Sequence, residues 1–303
     1  MEKEVAYAYL LNIIRNCIYG STMLFTSSLL ENTDVLDVLA LRFLMSAVVF
    51  TLLALCKVVR VDYKGKNIKN IMLAAFFEPV LYFIFENFGI HSTNTSTAGL
   101  ILATAPAFTM MFEKVFLHET TTWPQKMMIF LRIFAAMLIV FNSASSGENT
   151  LQGIICIIIA GVSGSLFAIF SRKSAQDFTA VEVTYLTTMV GMVVFNAINM
   201  TRHLLMGTIA TYFVPYFNTR NLIGFVFLSV VSSIFATMMG NYVFGKIQPS
   251  IASAFSGVST IVTVLLGALV NNETIYKYHY VSILLITAAC TGIVVLDNNR
   301  KCH

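Results

Sequence analysis

Two long apolar runs, joined by the short polar turn 91–94, fill the stretch from Phe76 to Glu119. Acids stand inside them. The first run holds Glu78, followed directly by Pro79, and then Glu86; the second has Pro106 in its middle and closes on Glu119. A helix of about 20 apolar residues crosses the roughly 30 Å of membrane hydrocarbon, and both runs are that long. Lipid offers no partner to a free backbone N–H or C=O, so such runs fold as helices or closed barrels. A carboxylate at that depth is costly, which makes these acids candidates for function.

The same pattern extends over the whole chain. Of 303 residues, 57% are hydrophobic and only 11% charged, against about a quarter charged in soluble domains. Spans are expected at about 5–30, 35–57, 68–90, 95–117, 124–143, 150–171, 181–202, 220–244, 250–270 and 278–297. The expected fold is an all-α membrane protein of ten transmembrane helices, with no room for a soluble domain. The first run is expected to remain in place, because Glu2, Lys3 and Glu4 lack a positive leader and no small-residue cleavage site follows Leu30.

Other function classes find little support. Cys17, Cys56, Cys156 and Cys290 fall in or at the ends of spans and Cys302 in the tail, with neither disulfide nor metal spacing. His91, His118, His279 and His303 are scattered, and no Ser/His/Asp arrangement stands out. No metal, no cofactor and no enzymatic activity are expected. The net charge of +4 reads as a loop bias and gives no reason to invoke nucleic acid.

The basic residues set an orientation. With the N-terminus in the cytoplasm, Arg202, Arg220 and Lys277 fall outside, and Arg15, Arg42 and Arg132 lie within spans. The other thirteen of nineteen Lys and Arg fall inside. Positive-inside counting therefore predicts a multi-pass protein of the plasma (inner) membrane with both termini cytoplasmic. The basic loop 57–69 is read as part of this signal in preference to an anionic-lipid site.

The chain also repeats itself. Asp37-Val38 and Val48-Val49-Phe50 recur as Glu182-Val183 and Val193-Val194-Phe195, 145 residues on; Gly20-Ser21 recurs as Gly164-Ser165, 144 on. Asn87, Phe88, Ser96, Ala98 and Glu119 match Asn241, Tyr242, Ser250, Ala252 and Glu273, all 154 on. The halves 1–145 and 146–303 would each hold five spans. An odd number inverts the second copy, an arrangement that places a transporter's ligand site near mid-membrane between the halves.

This layout resembles the EamA-type members of the drug/metabolite transporter superfamily over nearly the full length. The resemblance rests on Arg42 in RFLMSAVVF, on the 96–119 segment with Pro106 and Glu119, and on its fainter copy 250–273. The copy keeps Glu273 but has Thr260 opposite Pro106, and Thr187 stands opposite Arg42. The resemblance implies a ten-helix transporter with both termini cytoplasmic and a central site between the halves. It leaves the solute open.

Polar residues within the spans mark candidates for that site. Asn12, Arg15, Asn16 and Tyr19 share one face of the first helix. A stripe containing arginine should face the bundle interior, where Asn16 and Tyr19 are expected to line a cavity rather than only join helices. Glu78, Tyr82 and Glu86 share a face of the third helix, and Pro79 should bend it by removing a backbone donor. Arg15 and Glu78 each lie about 15 Å into the membrane from the inner side, so they could pair, either permanently or in a cycle coupled to substrate or proton. Glu86 could pair with Arg42 as a structural contact, and it stands with Glu78 and Arg15 as a candidate for coupling. Glu113 and Arg132, read as lying near inner helix ends, are expected to be structural. Thr104, Phe108, Ser163, Phe167, Asn241, Ser256 and Thr260 complete the candidate lining from the matching helices of both halves. The aromatic segment 208–217 is expected to anchor at the outer interface, with Arg202 and His203 as ordinary span-end residues.

The resulting reading is a transporter that moves a small amphipathic metabolite, an amino acid or organic amine, by alternating access. Aromatic surface from Tyr19, Tyr82, Phe108 and Phe167 suits a cationic group, and Arg15 suits a carboxylate. Proton coupling through Glu78 is the preferred energy source, with facilitated diffusion as the alternative. The partners are the lipid bilayer, the solute and protons, and the protein acts as monomer or homodimer. A flippase for a lipid-linked intermediate and a non-transporting scaffold or receptor are the rival classes.

Overall fold

The computed structural model describes residues 2–92, 95–142, 150–270 and 276–301, and among these the chain forms helices and no strand. The first helices are α1 (Glu2–Leu30) and α2 (Val35–Leu55). Next come α3 (69–92), in the pieces Lys69–Ala75, Phe76–Leu81 and Tyr82–Ser92, and α4 (95–116), in the pieces Thr95–Ala103 and Ala105–Phe116. Then follow α5 (Trp123–Asn142), α6 (Leu151–Ser174) and α7 (Ala180–Met206). The last are α8 (219–246), in the pieces Thr219–Val226, Phe227–Ala236 and Thr237–Lys246, α9 (249–270), in the pieces Pro249–Ala254 and Ser256–Val270, and α10 (Lys277–Lys301). Seven of them (α2, α3 and α6 to α10) contain stretches long and apolar enough to cross a membrane. Asn94, Glu273, Cys302 and His303 lie outside the described residues.

Helix ends fall within a few residues of the expected runs because local chemistry stops them. Asp34 accepts from the Leu36 N–H to cap α2, and Thr150 accepts from the Gly153 N–H to cap α6. Thr179 and Glu182 form a reciprocal capping box on α7, which ends at Gly207 in the left-handed region (φ 69°).

The interruptions recur in both halves. In α3 the run Phe76–Leu81 is π-helical, and Glu78 leaves helical geometry altogether (φ −140°, ψ 122°). The bend expected from Pro79 is thus an inserted bulge. In α8 a second π-helical run, Phe227–Ala236, contains the positions 154 residues on from Glu78 and its neighbours, although no proline marks it. α4 and α9 are each broken once, at Thr104 and at Phe255, three residues off the 154-residue shift. In α4 the break precedes Pro106, which sits in the first turn of the next piece, where a missing N–H costs least.

Packing follows a shift of five. α1 packs on α8 and α9 as α6 packs on α3 and α4; α2 touches α8 as α7 touches α3; and α2 with α7, α5 with α10, and α4 with α9 meet as pairs. Buried apolar residues form two large clusters. One gathers Tyr9, Phe167, Phe244 and Phe255 toward the end bearing the basic loop 57–69, called the basic end below. The other gathers Leu29, Phe43, Phe195 and Phe225 toward the opposite end.

Segment 208–217 differs from expectation. Its two tyrosines turn inward, Tyr212 donating to Asn196 Oδ1 and Tyr216 to the Leu41 carbonyl, which seats two short 3-10 turns on α2 and α7, while Phe213 and Phe217 stay exposed. Arg202 and His203 are likewise not ordinary end residues. Asp37 accepts from both of them and from Asn199, which ties the end of α7 to the start of α2.

Candidate functional site

The polar residues of α1, α2, α3 and α8 meet between the two apolar clusters. On α3 the bulge turns Glu78 inward, and Tyr82 and Glu86 follow it. The Pro79 ring lies against Gly191 of α7, where an added Cβ would stand 2.7 Å from Pro79 Cγ. Tyr82 packs on Gly164 of α6 and donates to Glu86 Oε1 at 2.8 Å. On α1 the Arg15 guanidinium stacks between the rings of Tyr19 and Phe244, 5.2 and 5.0 Å from their centroids, a cation–π arrangement. Gly240 of α8 makes room for it: a Cβ there would lie 2.9 Å from Arg15 Nε. On α2 Arg42 donates through Nε to Ser233 (2.7 Å) and through Nη2 to Ser232 (3.3 Å), both in the α8 bulge.

Arg15, Tyr19, Arg42, Glu78, Tyr82 and Glu86 are all half-buried, as are most of their neighbours on α3. Their charges act on one another: Glu78 feels Arg15, Arg42 and Glu86. Yet among the described residues no arginine here comes within ion-pair distance of either acid. Neither the expected Arg15–Glu78 pair nor the Arg42–Glu86 pair is closed. Ring faces hold one guanidinium and serine hydroxyls the other, while a tyrosine holds Glu86. The site thus presents two arginines and two acids side by side without a closed ion pair, an arrangement able to receive a solute carrying both signs.

The other expected residues divide. Phe108 is half-buried beside Gly161, and Thr104 bonds the Ile101 carbonyl at the break of α4. Tyr19 reaches Thr237 of α8 at 3.4 Å. Asn16 is buried, and its amide is spent on Asn12 of its own helix. Ser163 is buried and bonds the Ile159 carbonyl, and Phe167 belongs to the apolar cluster against Phe244. Asn241 is buried and committed twice, accepting from Ser171 and donating to Thr184. The polar groups of Ser163 and Asn241 are thus committed within the protein, and Asn16 commits its amide N–H groups. Ser256 and Thr260 are half-buried on α9, but the Ser256 hydroxyl is occupied.

Its occupant is Arg132. This residue is not near a helix end as expected; it lies midway along α5, buried, donating to the Ala103 carbonyl (2.7 Å) and to Ser256 Oγ (2.6 Å). One guanidinium thus joins the break of α4 to the break of α9. Glu113 on α4 is also buried; its Oε2 accepts from the Ser250 N–H at the start of α9, and its Oε1 has no partner.

Sequence reasoning gave no role to Ser232, Gly191 and Gly240. Two of these were visible in the repeat, since Ser232 and Gly240 stand 154 residues on from Glu78 and Glu86.

The comparisons with known proteins agree with this architecture. The family model described as the EamA-like transporter family matches residues 6–141 and again 151–295. The uncharacterized transporter YcxC of Bacillus subtilis is 34% identical over 293 residues, 96% of this chain and 92% of its own. An uncharacterized transporter of Archaeoglobus fulgidus is 24% identical over 268 residues, covering 86% and 87%. A solved crystal structure aligns with TM-score 0.77 at 13% identity over 96% of this chain and 99% of the other, a likeness of fold.

Proposed function

The chain belongs to the EamA-like transporter family, and from that premise we propose that it carries a small amphipathic metabolite, an amino acid or organic amine, across the membrane by alternating access. In this reading α1 to α10 all cross the plasma (inner) membrane as two inverted five-helix halves with both termini cytoplasmic. The basic end is then the inner end, in keeping with the loop charges. The matching interruptions and the five-helix shift in packing support the inverted repeat.

One observation carries the solute class. Arg15, Arg42, Glu78 and Glu86 stand half-buried around one space, and none of them is paired with another. An ammonium would sit between the acids and the Tyr82 hydroxyl, and a carboxylate beside Arg42 or Arg15. Among the described residues Glu78 has no hydrogen bond or ion pair to give up on protonation, which favours it as the proton carrier over Glu86, already held by Tyr82.

The test is a thermal-shift screen of purified protein against amino acids, amines and nucleosides at two pH values, followed by solute counterflow in proteoliposomes. A ligand that binds only the folded state raises apparent stability by mass action. Stabilisation and counterflow by one class support the reading. Redistribution of lipid with no solute counterflow would replace it by a flippase.

A further inference from the structure

The two ends of the bundle are unequal, and the repeat shows where. At the basic end the last piece of α8, Thr237–Lys246, packs against both α6 and α7. Five helices earlier, the last piece of α3, Tyr82–Ser92, should pack against α1 and α2 at the opposite end; it touches α2 through Phe83, whose ring lies 5.9 Å from that of Phe43, but among the described residues the backbones do not approach as closely. Likewise Pro249–Ala254 of α9 packs on Ala105–Phe116 of α4 at the basic end, whereas Thr95–Ala103 and Ser256–Val270 have no comparable contact at the other. Among the described residues the helices pack more closely at the basic end than at the opposite end.

Polar contacts follow the same asymmetry. Asn241 accepts from Ser171 Oγ at 2.7 Å and donates to Thr184 Oγ1 at 2.9 Å, joining α8 to α6 and α7. Arg172 adds bonds to the Phe244 and Gly245 carbonyls at the end of α8. The repeat mate of Asn241 is Asn87, 154 residues earlier, and that of Ser171 is Ser27, 144 residues earlier. Their places correspond. Ser171 stands three residues before the end of α6 (Ser174) and Ser27 three before the end of α1 (Leu30); Asn241 and Asn87 each stand five before the ends of α8 (Lys246) and α3 (Ser92). Here, however, Asn87 bonds only the Phe83 carbonyl of its own helix, and Ser27 is exposed and bonds the Leu24 carbonyl.

We propose that Asn87 and Ser27 are the unmade counterpart of the Asn241–Ser171 clasp, and that they close the opposite end when the clasp at the basic end opens. This rests on the alternating-access reading and adds to it the residues that make and break the two closures. Both asparagines are otherwise hard to explain as packing. An amide in an apolar helix needs a partner; Asn241 has two on neighbouring helices, and Asn87 has none beyond its own.

The test uses the full chain in proteoliposomes, with Cys17, Cys56, Cys156, Cys290 and Cys302 replaced by serine and the pair Ser27→Cys and Asn87→Cys introduced. Oxidative cross-linking is then timed with and without Asn241→Ala. Removing a doubly bonded buried amide should shift the balance toward the state closed at the opposite end, so that cross-linking accelerates by about tenfold. An unchanged rate, or no cross-link in either background, overturns the proposal. If Asn241→Ala fails to fold, Ser171→Ala removes one arm of the same clasp; acceleration supports the proposal, and an unchanged rate overturns it. The cross-link needs no solute. A protein that exchanges between closures but moves no amino acid or amine would sink the proposed function and leave the clasp standing.

Discussion

The third and eighth helices share a backbone and differ in chemistry. Both carry a π-helical run at the same place in the repeat, and both face the same central space. On α3 that run presents Glu78, with Glu86 two turns further on; on α8 the equivalent positions are Ser232 and Gly240. The serines hold Arg42, and the glycine leaves the space that Arg15 occupies. One copy therefore supplies negative charge, and the other seats the positive charge brought by α1 and α2. Bulges of this kind cluster at functional sites because they turn side chains off the regular helical face. Duplication kept the bulge on both helices, while the residues it displays diverged.

Altering either side should show how far this division goes. The largest effect is expected from Glu78→Gln, which keeps shape but cannot exchange a proton. Uptake driven by an imposed pH gradient should disappear while counterflow without a gradient persists; gradient-driven uptake at the normal rate would remove Glu78 from the coupling role. Next is Gly240→Ala. Its Cβ would stand 2.9 Å from Arg15 Nε, so the guanidinium must move, and ligand affinity by thermal shift should fall about tenfold to a hundredfold. Ser233→Ala removes the shorter bond to Arg42 and should cost affinity about tenfold, as loss of a bond to a charged group does. Ser232→Ala, at 3.3 Å, should cost only about twofold to threefold. If the last two were reversed in size, the assignment of Arg42 to Ser233 would be wrong.

Much of the fold could be read from sequence because lipid imposes it. Apolar runs gave helix ends to within a few residues, and Thr150, Thr179 and Gly207 explain where those ends fall. The bend at Pro79 was legible because proline lacks a donor. Its partner in α8 was not, since nothing in FLSVVSSIFA breaks a helix by itself. Within the site, Arg15, Tyr19, Arg42, Glu78, Tyr82 and Glu86 come together as the shared faces suggested. The two expected ion pairs are open in this structure. Equal depth places two side chains on one level but leaves their direction around the bundle free, and here rings and hydroxyls intervene. Asn241 bonds two neighbouring helices, and Arg132 lies midway along α5 rather than near its inner end: a polar residue in a span signals an interior position without saying which partner it meets there.

The most direct test of a two-signed solute site is binding by charge class. Purified protein should be stabilised by an amino acid, and less by the amine and the carboxylic acid that each carry half of its charge. Arg42→Met should abolish the advantage over the amine, and Glu78→Gln with Glu86→Gln the advantage over the acid. Equal stabilisation by all three, unaffected by these substitutions, would contradict the account.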